Sequence, residues 1–281
     1  MNKKIAFIGV GNMANAILNG ITSGEQCLIP WSDIILCDSD LEKLEKYNDF
    51  GATIARSLEE AIDNADCVFL CVKPQTFPEI LPKISSVKGV NKKLFVTIAA
   101  GIAINKISEP THGAPVVRVM PNTPMLIGQG VSAICRSENV SDADFDFVRD
   151  VFASAGKVIK IQESEMNRII SVTGSSPAYF FMVIKAMYEG AVAQGLLSDG
   201  ISNGGLSEKE LLDCICDAMI GSAMLMKSGT KSPDEQIKTV CSKGGTTERA
   251  VAELERYDLY GAFSDAMRKC TERADELGSA K

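Results

Sequence analysis

The chain has 281 residues, 46% of them hydrophobic and 23% charged, and its 29 Lys plus Arg against 36 Asp plus Glu leave a net charge of −7. This is ordinary globular usage at a length for about two domains, which excludes fibrous repeats and disorder. An acidic balance makes nucleic acid a poor partner, and the longest apolar runs, such as residues 67–72, fall far short of the roughly 18–20 residues that cross a bilayer, so no membrane association is expected.

In chain order, residues 4–8 read as a strand, and the charged start before them does not read as a signal peptide, so the expected location is cytoplasmic. The turn that follows opens a helix to about Gly24. A second strand at 33–37 ends in Asp38-Ser39-Asp40, which can cap a helix carrying Leu41, Leu44 and Tyr47. Short apolar runs at 52–55, 67–72, 94–99 and 116–120 read as further strands, several of them buried on both faces. Strands alternating with helical stretches predict a parallel, doubly wound sheet. Residues 131–135 and 158–161 read as edge strands, with a helix at 142–155 between them. Beyond about Gln162 only helices are predicted, at 165–173, 177–194, 207–227, 246–256 and 257–277. The stretch 211–226 is apolar almost all round and too large for its own tail to enclose, which points to cover by a partner subunit. The fold class is therefore α/β, an N-terminal dinucleotide-binding domain at 1–163 followed by an all-helical domain at 164–281.

Nine scattered cysteines include no Cys-x-x-Cys pair, so they read as small hydrophobes in a reducing compartment and no metal is expected. The single histidine, His112, lies in a turn-rich stretch, and neither a polyhistidine metal site nor a Ser-His-Asp triad fits a chain so poor in imidazole.

The chemistry concentrates in a few short motifs. Ile8 and the run Gly9-Val10-Gly11-Asn12-Met13-Ala14 fit G-x-G-x-x-G/A between a strand and a helix, where glycines let amides approach a pyrophosphate and the helix end favours its charge. Asp38 closes the second strand, where a carboxylate binds the ribose hydroxyls of NAD and repels the 2′-phosphate of NADP; it serves equally as a helix cap, and Ser39 beside it suits a 2′-phosphate. Val72-Lys73-Pro74 and Ala99-Ala100 sit at carboxyl ends of parallel strands, the edge where such sheets bind ligands. Met120-Pro121-Asn122-Thr123-Pro124 is a rigid turn, and Gly174-Ser175-Ser176-Pro177 suits a helix start. Gly244-Gly245-Thr246-Thr247 opens a helix whose first amides suit a carboxylate, although Thr246 could instead be an ordinary cap.

Taken together these segments resemble the pyrroline-5-carboxylate reductases over nearly the whole chain. The resemblance implies an N-terminal Rossmann domain, a C-terminal all-helical dimerisation domain, and reduction of 1-pyrroline-5-carboxylate to proline by NADP or NAD in its reduced form. It implies a homodimer, often built further into a ring of dimers. It assigns Thr247 to hydrogen-bonding the ring nitrogen and Gly244, Gly245 and Thr246 to the substrate carboxylate, with Ser176 and Asn122 completing the substrate set. Lys243 stands where the family usually has Pro, Leu58 where it commonly has a ribose-contacting Asn, and an acid such as Asp38 is rare at its position. Two rival readings are a β-hydroxyacid dehydrogenase, which would need a lysine where Ser175-Ser176-Pro177 stands, and a non-catalytic dinucleotide sensor, which would need no anion pocket at 244–247.

Overall fold

The computed structural model describes residues 3–23, 27–197 and 205–279; the expected helix end at Gly24 and most of the loop after Gly195 lie outside them. The chain forms two compact units, one running to Pro177 and resuming at Met267, the other spanning Ala178–Ala266.

The first unit comprises β1 (Ile5–Ile8), α1 (Asn12–Thr22), β2 (Ile34–Cys37), α2 (Glu42–Glu45), β3 (Thr53–Ile54), α3 (Leu58–Asp63), β4 (Cys67–Leu70), α4 (Phe77–Ser85), β5 (Leu94–Thr97), α5 (Asn105–Ser108), β6 (Val116–Met120), β7 (Gly130–Arg136), α6 (Asp142–Ala153), β8 (Gly156–Lys160) and α7 (Met166–Ile169). The strands form one sheet in the order β3-β2-β1-β4-β5-β6-β7-β8. Every residue of β1, β2, β4 and β5 is buried, because helices cover both faces and each strand feeds two cores. Alternation decides which core: Ile5, Phe7 and Phe69 pack with α1 and α6, whereas Ala6, Ile8 and Leu70 pack with Ile84 and Phe95.

Two expectations need correction here. β7 is not an edge strand: it lies between β6 and β8, antiparallel to β6, because the short turn after Met120 reverses the chain without a crossover helix. Nor does the 38–40 segment cap α2, which is a single turn with Leu41 at its N-cap and no side-chain cap bond. The Asp38 carboxylate is committed elsewhere.

Helical structure continues through a π turn at Ile170–Gly174, closed by a Ser175 N–H bond to the Ile170 carbonyl at 2.7 Å. The expected break at 174–177 is therefore a bulge rather than an interruption. As a result Glu163–Ala193 forms a 31-residue helical stretch long and apolar enough to cross a membrane by length and composition alone. Mean hydropathy tolerates the Gly, Ser and Thr that break an uninterrupted apolar run, which is why counting runs missed it.

The remaining helices are α8 (Ser176–Ala193), α9 (Glu208–Ser228), α10 (Pro233–Val240), α11 (Thr246–Arg256) and α12 (Leu259–Ser279). α9 starts with the expected capping box, Ser207 and Glu210 bonding each other's backbone. α10 was not anticipated. Its signal was present in Ser232-Pro233-Asp234-Glu235, a second capping box with proline in the first turn.

Candidate active site

Parallel pairing of β1, β2, β4 and β5 brings the ends of these strands to one edge of the first unit. Gly9 leaves β1 with φ +87°, and a Cβ there would lie 2.8 Å from the Val72 side chain and 3.1 Å from the Cys71 backbone. Both the left-handed backbone and the close approach of the β4 end demand glycine. Its N–H donates to the Cys37 carbonyl at 2.8 Å, clamping the turn to the β2 end. Gly11, the N-cap of α1, has the opposite surroundings: an added Cβ would meet nothing within 4 Å. Open space over a helix N-terminus, at a turn that is itself rigid, suits a pyrophosphate, and with exposed Asn12 and half-buried Met13 these residues fit a dinucleotide.

Asp38 reaches this turn from β2. Its Oδ2 accepts the Val10 N–H at 2.7 Å and its Oδ1 accepts the Asp40 N–H at 2.9 Å. Ser39 beside it is exposed. Along the same edge Val72 is half-buried, Lys73 is exposed, and Pro74 begins a helical turn. Ala99 is buried with its N–H on Thr97 Oγ1, and Ala100 is half-buried. At Gly101, φ +79°, an added Cβ would lie 2.5 Å from the Ala274 carbonyl, and one on Gly278 would lie 2.4 Å from the Gly101 carbonyl. The end of α12 thus closes directly on the turn after β5, a contact that sequence reading missed.

Asn122 is only 7% exposed, and its side chain is occupied on two sides. Its Oδ1 accepts the Val131 N–H at 2.8 Å and its Nδ2 donates to the Thr173 carbonyl at 3.0 Å, tying the β6–β7 turn to the π turn. Ser176 is buried at the start of α8, its hydroxyl 3.5 Å from the same carbonyl. Buried Arg118 extends this region by donating to Asn167, which in turn donates to Asp275, each at 2.6 Å.

In the second unit, Gly245 is the N-cap of α11 without a side-chain cap bond, so Thr246 is the first helical residue rather than the cap. The Thr246 and Thr247 amides therefore begin the helix with no carbonyl one turn earlier. Gly244, at φ +72°, donates its N–H to Glu248 Oε2 at 2.6 Å, and the Gly245 N–H donates to the Ser242 carbonyl at 2.9 Å. Two of the three amides expected to serve a substrate carboxylate are thus engaged within the bend. Thr247 borders a cavity of about 390 Å³ lined by Leu225, Met226, Ile237, Val240 and Val251 among others.

The rival chemistries lose ground. His112 precedes β6, at the edge opposite the glycine turn, and is exposed. Lys185 is paired with Glu189 at 3.6 Å on the surface of α8. Burial pushes the Cys135 thiol up to about 12 and raises Cys67 and Cys71 further, so these sulfurs stay protonated and inert. No cluster suited to a metal ion exists among the described residues.

Comparison with known proteins agrees in both halves. Residues 163–277 match the family described as pyrroline-5-carboxylate reductase dimerisation, and residues 4–101 match one described as NADP oxidoreductase, coenzyme F420-dependent. The chain is 34% identical to the pyrroline-5-carboxylate reductase of Corynebacterium melassecola over 98% of both chains. It is 34% identical to that of Escherichia coli K12 over the full length of both. This chain belongs to the pyrroline-5-carboxylate reductase family. Among solved structures, the Plasmodium falciparum pyrroline carboxylate reductase with NADP bound superposes with a TM-score of 0.87 at 25% identity, covering 99% of this chain and 98% of that one. The Streptococcus pyogenes enzyme gives 0.85 at 30% identity, covering 98% of each. The α/β class, with a dinucleotide-binding half and a helical dimerisation half, is that of the family, and membership supports a homodimer acting on a small molecule. Leu58, at the start of α3, packs into the second core and carries no polar atom for a cofactor.

Proposed function

We propose that the protein reduces 1-pyrroline-5-carboxylate to L-proline with NADH or NADPH, the closing step of proline synthesis. The observation that supports this most is the end-to-end match, at 34% identity, with reductases of that name, a span that includes the glycine turn and the 244–247 bend. When bound, the reduced nicotinamide supplies a hydride to the C=N carbon. The chain's own task is then placement, because a protonated cyclic imine needs an anchor and a hydrogen bond and little general-base machinery. This matches a protein with one histidine, remote from the glycine turn.

In this reading Ile8, Gly9, Gly11, Asn12 and Met13 receive the pyrophosphate, and Asp38 with Ser39 faces the adenosine ribose. Val72, Lys73, Pro74, Ala99 and Ala100 border the nicotinamide half. Thr247 Oγ accepts the imine N–H. The Gly244, Gly245 and Thr246 amides hold the carboxylate, Glu248 giving up the Gly244 amide and the Ser242 carbonyl giving up the Gly245 amide as the substrate arrives. Asn122 and Ser176 shape the substrate pocket by holding the turns around Thr173. Residues 1–163 carry the dinucleotide, and 164–281 carry substrate recognition and dimerisation. The apolar surface of α8 and α9 is covered by the second subunit rather than by lipid, dimers assemble further into a ring, and the enzyme works in the cytoplasm.

The test is incubation with 1-pyrroline-5-carboxylate and each reduced nucleotide. Loss of nicotinamide absorbance with equimolar proline is expected; no turnover with either nucleotide would leave the non-catalytic sensor as the better reading.

A further inference from the structure

We infer that Asp38 makes this enzyme select NADH over NADPH, a reading that rests on the glycine turn being the cofactor site. The carboxylate is held from two sides: Oδ2 by the Val10 amide of the turn at 2.7 Å, Oδ1 by the Asp40 amide at 2.9 Å. A carboxylate offers about four lone-pair sites, so each oxygen keeps one after these bonds. Two fixed acceptors side by side match a vicinal diol, both of whose hydroxyls donate. A ribose 2′-phosphate has no such proton to give at neutral pH and brings close to two negative charges. Pinned by both amides, Asp38 cannot swing aside to admit it.

The neighbouring charges reinforce the choice. Asp40 follows on the same loop, Glu42 opens α2, and Glu60 accepts the Arg56 backbone N–H at 2.7 Å beyond the end of β3. Lys43, in α2, is paired with Asp40 at 3.1 Å. Arg56 is exposed on the loop after β3, and Lys73 is exposed at the end of β4. Leu58 offers no donor.

Direct binding tests this without turnover. Dissociation constants for NADH and NADPH are measured from the fluorescence of the bound reduced nicotinamide, using the full-length protein and no imine. The wild type should bind NADH at least about tenfold more tightly than NADPH, about 1.4 kcal/mol. Asp38→Ser and Asp38→Asn should each shrink that ratio at least about fivefold. Because losing the Val10 bond could loosen the turn and weaken both nucleotides alike, the ratio is the decisive quantity, and a circular dichroism melt confirms that each variant is folded. Equal or tighter NADPH binding by the wild type, especially if lost in Arg56→Ala, would overturn the inference, as would an unchanged ratio in both variants. Binding of neither nucleotide would overturn it together with the cofactor site. Selective NADH binding by a protein that fails to reduce the imine would refute the proposed reaction and leave this inference standing.

Discussion

In β1 and β4 all eight residues are buried by helices of the same chain, whereas α9, twenty-one residues long, buries only Leu211 and Ile215. Ile220, Met224 and Leu225 on α9, and Phe181 and Met182 on α8, are more than half exposed. A parallel sheet brings its own cover through its crossover helices. A set of helices with no sheet to pack on leaves apolar stripes that a second copy must cover. The two units thus differ in what completes them: the first is finished by its own chain, the second by association. The catalytic reading draws on both, so damage to either should be separable by measurement.

The sharpest way to break the comparison is Met224→Asp on α9. It should raise the dimer dissociation constant at least about a hundredfold, seen by sedimentation, while NADH binding survives, because charge in a desolvated interface core is costly and the sheet does not depend on it. Retained dimers would mean that this face is covered some other way. Gly9→Val attacks the first unit instead. Its Cβ would meet Val72 and its φ is unfavourable, so nucleotide affinity should fall at least about thirtyfold with dimers intact. Thr247→Ala should lower kcat/KM at least about tenfold, near 1.4 kcal/mol of transition-state stabilisation, without changing NADH binding; an unchanged value removes Thr247 from the mechanism. Gly101→Ala should cost about 1–3 kcal/mol in urea unfolding by forcing α12 off the β5 turn. The smallest effect is expected for Glu248→Ala, which frees the Gly244 amide and should lower KM for the imine about twofold to threefold. A raised KM would instead make Glu248 a support of the bend.

The central sheet was legible because runs such as Cys67-Val68-Phe69-Leu70 are apolar without interruption and end in turn residues. The place of β7 was not, since strand order depends on a turn reversing the chain and not on the strand's own residues. Thr246 reads as a cap by type, yet the backbone gives that position to Gly245. Asp38 offered two roles of similar weight, and only the fold reveals that one of its oxygens takes an amide of the glycine turn. Bonds such as the Gly244 amide to the Glu248 carboxylate and the Arg118 side chain to that of Asn167 join groups whose pairing no periodicity encodes. The apolar excess of α9 was readable, because it follows from composition alone.

The meeting of Gly101 with Gly278 has a consequence for how the protein is made. The nucleotide-binding unit resumes only at Met267, so this supporting segment leaves the ribosome after the whole of the second unit has been synthesised. The sheet can assemble early, but the wall beside β5 must wait until the end of α12 has emerged, and a nascent chain arrested short of that point would carry an unfinished groove.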